Sequence, residues 1–170
     1  PAAVGAYRLI GYENRVLADE DFKDDTKDAG EMGAGHTVTA LYELILAGHQ
    51  DIPQVDPLKY QKTGSSQAGT GGELLTIKLR YKPRGVAVSK EINQVAVKKV
   101  RDIRQNSDDF RFAAAVAGYG MLLKKSSHLG SFTWDSCLQM IKQSKGTDAE
   151  GYRAEFQRLV ELSKLLENKG

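Results

Sequence analysis

The chain has 170 residues, the size of one domain, and its 24 basic and 22 acidic side chains leave a net charge of +2, too little to point to nucleic acid or an anionic membrane as partner. Its 41% hydrophobic and 27% charged residues are the composition of a globular protein, and no apolar run approaches the ~18 residues of a membrane span. The single cysteine, Cys137, excludes an internal disulfide and leaves the redox compartment open. No signal peptide is visible, and a start at Pro1-Ala2-Ala3 without methionine suggests a piece or a processed form of a longer protein.

Val4 to Tyr12 is rich in apolar and aromatic residues and short enough for a strand, which Val16-Leu17-Ala18 could resume. Asp19 to Asp28 follows, an acidic stretch whose only large apolar group is Phe22. It reads as a solvated loop with room for one helical turn. Gly30, Gly33 and Gly35 suit a tight turn or bulge. His36 to Leu46 then alternates, with Val38, Ala40, Tyr42, Leu44 and Leu46 on one face. Its other face is mixed, which predicts a central strand covered on much of both sides.

The composition shifts between Gly48 and Gly72, where Pro, Gly, Ser, Thr and Gln accumulate. So long a stretch without periodicity predicts a flexible loop near residues 48–73. Leu75 to Lys82 has the cleanest alternation in the chain. Leu75, Ile77, Leu79 and Tyr81 make a face to be buried, and Thr76, Lys78, Arg80 and Lys82 make a wet basic face. Pro83-Arg84-Gly85 predicts a turn, with short antiparallel strands at Val86–Val88 and Ile92–Val97.

Beyond Val100 the period changes from two to near 3.6. Ser107 can cap a helix whose first turn carries Asp108 and Asp109. Phe112, Val116, Tyr119 and Leu123 form its predicted core stripe, among alanines that make the helix nearly all apolar. Gly118 and Gly120 each weaken it by about 1 kcal/mol relative to Ala, unless a close approach of another backbone compensates. Thr133 opens a second helix with Trp134, Cys137, Leu138 and Ile141 on one side and Gly146 as its stop. Thr147-Asp148-Ala149-Glu150 has the form of a capping box. It would open a third helix with the stripe Tyr152, Phe156, Leu159, Val160 and Leu166 and a wet face of Arg153, Glu155, Arg158 and Glu161.

The expected fold is therefore α+β: an antiparallel β-sheet or partial β-sandwich followed by a C-terminal cluster of three α-helices. It forms one domain over 1–170, mainly β over 1–103 and mainly α over 104–170. Val4 to Tyr12 would pair with His36 to Leu46, and Leu75 to Lys82 with the following hairpin arm. An exposed sheet edge would invite a homodimer.

Few residues are arranged for chemistry. His36 beside the acidic loop is the nearest approach to a hydrolase-like site, but no nucleophile or orienting acid is spaced with it, so no catalytic residue is assigned. Asp19, Asp21, Asp24 and Asp25 are the nearest approach to a calcium site, but their spacing is not that of a helix–loop–helix calcium loop. A solvated or lysine-paired loop is the simpler reading. No metal or cofactor is assigned. Lys78, Arg80, Lys82, Lys98, Lys99, Arg101 and Arg104 lack the interleaved aromatics of a single-strand binder. Cys137 falls on an apolar helix face, a core position.

The stretches AYRLIGYENRVLADEDFKDDTKDAGEMGAGHTVTALYEL and GTDAEGYRAEFQRLVELS resemble the C-terminal domain of bacterial envelope proteins of the YfbK type. The resemblance extends over nearly the whole chain. It implies an exported parent protein, often a lipoprotein, located in the cell envelope. It further implies that a von Willebrand factor type A domain precedes this region. The adhesion site of such a domain carries an Asp-x-Ser-x-Ser signature, which is absent from these 170 residues, so its metal cannot be carried over to any residue here. No activity is attached to the C-terminal region of these proteins. The expectation is a non-enzymatic accessory module that supports protein–protein binding or assembly, with the upstream domain and an envelope protein as partners. A hydrolase-like site around His36 and the acidic loop, and a calcium-stabilised structural domain, are the alternatives.

Overall fold

In a computed structural model of the chain, the structure describes residues 3–12, 21–27, 30–49 and 72–167. The loop expected near 48–73 lies outside them from 50 to 71, as does the strand continuation expected at residues 16–18. The chain divides into two compact units, 1–99 and 100–170. Two small antiparallel sheets fill the first and three helices the second, which is the α+β order that the change of period marks.

β1 (Val4–Ile10) pairs antiparallel with β2 (Leu41–Leu46), with Ile10 opposite Leu41 and Arg8 opposite Glu43. That opposed pair forms a cross-strand ion pair. β2 is shorter than the alternation of residues 36–46 predicts. Gly11 and Tyr12 take φ of 77° and 59° directly after β1, which ends the extended run there, and among the described residues no strand pairs with residues 37–40. The expectation of a central, doubly covered strand is also corrected. Among the described residues β2 has one hydrogen-bonded neighbour, and Tyr42 and Val38 are exposed.

β3 (Glu73–Tyr81) pairs antiparallel with β4 (Lys90–Val97), after a register shift near Leu74. The turn at Pro83–Gly85 forms as expected: Val86 N–H donates to the Pro83 carbonyl at 3.0 Å and Gly85 has φ 76°. Val86–Val88 is not a strand. It belongs to the connection that carries the chain from this turn to Ser89.

In the second unit α1 spans Asp108–Leu123, α2 Trp134–Gln143 and α3 Tyr152–Glu167. Ser107 and Thr133 cap the first two as their sequences require, accepting from the Phe110 and Ser136 amides. Asp148, rather than Thr147, caps the third. Gly151 at φ 76° and Asp148 at φ 44° fold a tight turn that delays the helix to Tyr152. The Asp148 carboxylate then accepts from the Arg153 and Ala154 amides at 3.0 and 2.9 Å. The Arg153 amide bond is the main reason that its pKa lies below the ordinary carboxylate value.

Ala115, Leu122, Cys137, Ile141 and Val160 form the core, flanked by Phe112, Tyr119, Phe132, Trp134 and Phe156. The inward row of α1 is thus Ala115, Gly118 and Leu122. Val116 and Leu123, assigned inward by the periodicity, are exposed. On α3, Phe156 and Val160 face inward as expected, while Tyr152, Leu159 and Leu166 remain in solvent. Tyr119 meets Phe156 edge-on at 5.3 Å and Trp134 at 5.9 Å. Arg153, expected on the wet face, lays its guanidinium over the Phe112 ring at 4.7 Å and donates to the Ser144 carbonyl at 3.0 Å.

Gly118 compensates its low helix propensity by a close approach, of a side chain rather than a backbone. A Cβ there would lie 2.4 Å from the Phe132 ring, whereas one on Gly120 would meet nothing. Gly118→Ala is therefore expected to lower stability by about 1–3 kcal/mol through overpacking. Gly120→Ala should raise it by about 0.5–1 kcal/mol. Urea midpoints of the two variants at unchanged m-value check the opposite signs.

Candidate functional site

The residues most capable of chemistry lie in the acidic loop, and the structure shows what each carboxylate does. Asp21–Lys23 forms a single 3-10 turn. Asp24 closes a local turn by accepting from the Thr26 amide and hydroxyl at 2.9 and 2.7 Å, which lowers its pKa. Asp21 pairs with Lys27 at 3.2 Å. Asp25 reaches the β3–β4 ribbon, where it pairs with the Arg80 guanidinium at 2.9 Å and accepts from the Ser89 amide at 3.4 Å. The Ser89 side chain is the largest cause of its lowered pKa, with the Arg80 and Lys82 charges adding to it. Arg80 further donates to the Phe22 carbonyl at 2.7 Å and to the Ser89 hydroxyl, and Lys82 to the Asp25 carbonyl.

Asp21, Asp24 and Asp25 thus point at separate partners and do not converge on one centre. Asp19 lies outside the described residues. Among the described residues no group of three or more His, Cys, Asp or Glu is placed to hold a metal ion. His36 sits in an exposed turn, its amide donating to the Gly33 carbonyl at 3.1 Å and its ring lying against Gly33. No bond joins it to the acidic-loop carboxylates among the described residues. His49 and His128 are exposed elsewhere. Of the expected basic face, Arg80 and Lys82 are engaged by the acidic loop, and Arg104 by Asp102, whose pKa the Arg104 side chain and amide lower to about 2.

Cys137 is fully buried, its Sγ 3.5 Å from the Ala115 carbonyl, and burial pushes its thiol pKa up to about 11. A thiol so placed is a packing group.

Sequence reasoning assigned the Leu75, Ile77, Leu79 and Tyr81 face of β3 to the interior. In the structure Leu79 is 57% exposed, and Ile92, directly opposite it on β4, is 51% exposed. The alternation correctly told which residues share a face. It carries no information on what lies above that face. The C-terminal half of α3 and the nearby end of α1 likewise leave leucines in solvent, around an open cleft of about 280 Å³.

Among the described residues, two short antiparallel ribbons followed by three helices define a small α+β protein. The chain belongs to the family described as "Uncharacterized protein YfbK, C-terminal", whose model it matches over residues 1–166. It is 42% identical over 165 residues to the Uncharacterized protein YfbK of Escherichia coli (strain K12), a match that covers 96% of this chain and 28% of that protein. The chain therefore spans little more than a quarter of the length of that relative. No solved structure matches it.

Two outcomes follow from these environments. Cys137 should fail to react with a disulfide reagent at about pH 8 in the native protein and react fully once unfolded, as absorbance titration of the released thiol will show. Asp25 has a folded pKa below its unfolded value of about 3.9, so its contribution to loop docking is complete above that value. It is lost as pH falls through the depressed folded pKa. Arg80→Met should remove the docking at neutral pH, raising hydrogen exchange at the Ser89 amide by about tenfold or more.

Proposed function

We propose that this chain is a non-enzymatic interaction module of a von Willebrand factor A-type protein of the cell envelope, supporting protein–protein binding or assembly. The observation that carries the reading is the apolar face of the β3–β4 ribbon. Leu75, Ile77, Leu79 and Tyr81 stand opposite Ala96, Gln94, Ile92 and Lys90. At its centre, Ile77, Leu79, Tyr81 and Ile92 are all exposed. Contiguous apolar side chains on a regular surface mark contact sites. Burying one Leu or Ile fully is worth about 1.5–3 kcal/mol, and roughly half of that remains to be gained here. The opposite face is occupied at one end by the acidic loop, held through Arg80 and Lys82. One face of the ribbon thus serves the fold, and the other is offered to a partner.

The partner that best fits is the remainder of the parent protein, since the related protein extends well beyond the matched region. Calorimetric titration of the chain with the upstream part of its parent should give saturable binding. Leu79→Lys with Ile92→Lys should weaken it by about tenfold or more while leaving the circular dichroism spectrum unchanged. Absence of binding at high micromolar concentration, together with envelope crosslinks of the parent that survive deletion of this region, would remove the proposal.

A further inference from the structure

α3 has two apolar sides, and the core of the helical unit uses only one. Phe156 and Val160 pack inward, and Ser163 bonds the Tyr119 hydroxyl at 2.9 Å. On the other side Tyr152, Glu155, Leu159, Leu162 and Leu166 recur at alternating intervals of three and four residues, the spacing of a helix-pairing seam. The seam is solvated: Tyr152 is 72% exposed, Leu162 59% and Leu166 70%. At its C-terminal end it opens into the cleft, walled by Leu122, Leu123, Trp134 and Leu166, with Lys125 and Glu167 at the rim.

We propose that this seam joins two copies of the chain, α3 lying antiparallel to α3 of the second copy about a two-fold axis between Leu159 and Leu162. Helical geometry sets the register. With the axis there, Leu159 of each copy meets Leu162 of the other, and Leu166 meets Glu155. Glu155 would be a poor partner for a leucine alone, but Lys125 lines the same cleft as Leu166. The carboxylate of each copy therefore arrives beside the ammonium of the other, twice per dimer. The described residues give neither the Glu155 carboxylate nor the Lys125 ammonium another bond. Tyr152 falls one turn further on, over the cleft. A parallel pairing would set Glu155 against Glu155, so charge selects the antiparallel arrangement, and the presence of both charges on one chain selects a second copy as occupant. This inference stands independently of the ribbon face.

Sedimentation of the full 170-residue chain tests it. The expected result is a concentration-dependent dimer, twice the 18.7 kDa chain mass, with a dissociation constant on the order of micromolar. Leu162→Lys should yield monomer, with a melting temperature equal to that of the unaltered chain at concentrations well below the dissociation constant, because the residue is exposed in the single chain. Lys125→Glu should weaken the dimer about tenfold, and adding Glu155→Lys should restore it. Monomer at every concentration overturns the proposal, as does a dimer indifferent to Leu162→Lys, such as one formed through a sheet edge. Failure of the double charge reversal to restore association overturns the antiparallel register. A monomer that loses binding to the upstream part of the parent on Leu162→Lys overturns it in favour of that occupant.

Discussion

A two-stranded antiparallel ribbon has two faces and no interior, and much of this protein follows from having two of them. Such a ribbon is marginal in water unless something packs on it or ties its strands. Here the ties are polar. Arg8 and Glu43 bridge β1 and β2, and Arg80 gathers the Phe22 carbonyl, Asp25 and Ser89 at one end of β3–β4. Phe22 also lies 5.9 Å from that guanidinium, so the loop contributes a ring as well as its carboxylates. Clamps of this kind hold a ribbon without covering its apolar side. All five of the buried hydrophobic residues that make up the core among the described residues lie instead on the three helices.

The helical unit meets its own constraint by using small residues. Ala115 and Gly118 leave α1 with a shallow inward row, against which α2 comes close enough for the Cys137 thiol to bond the Ala115 carbonyl. The Phe132 ring fills the space over Gly118. A larger side chain cannot occupy the Gly118 position of that row, and Val116 and Leu123 are turned outward. Arg153 then joins what the short loops leave open: its guanidinium covers Phe112, takes the free carbonyl at the end of α2 and reaches Asp109 at the start of α1. The cation thus serves as packing and as a cap for the C-terminal carbonyls of α2.

What could be read from the residues was what depends on near neighbours. The Ser107 and Thr133 caps act over three residues, and the Pro83–Gly85 turn closes within four. Alternation placed Leu75, Ile77, Leu79 and Tyr81 on one face and marked Val4–Tyr12 and His36–Leu46 as partners. What could not be read depends on residues far along the chain or on the layer opposite. Among the alanines of α1, adjacent rows look alike to a periodicity of 3.6, and only the Phe132 ring distinguishes the Ala115 row from the Val116 row. The shift of the α3 cap from Thr147 to Asp148 rests on the left-handed Gly151. Asp25 looked like one member of an acidic cluster because Arg80 stands 55 residues away. Within the candidate site the separate residues were legible, but their dispersal among internal partners was not.

The arrangement of apolar surface bears on how such a module would act. The ribbon face and the α3 seam lie in different units of one chain, and each offers a short row of apolar side chains suited to a contact of modest strength. Self-association through one would therefore change the behaviour of the other. Two ribbons carried in one dimer would engage a partner with the effective concentration of a tethered pair, so that two weak contacts would become a firm one with no new bond. The near balance of charge, +2 over the chain, leaves little long-range steering. Contact formation would then be governed by fit at short range, where the apolar rows and the proposed Glu155–Lys125 pair would set the register.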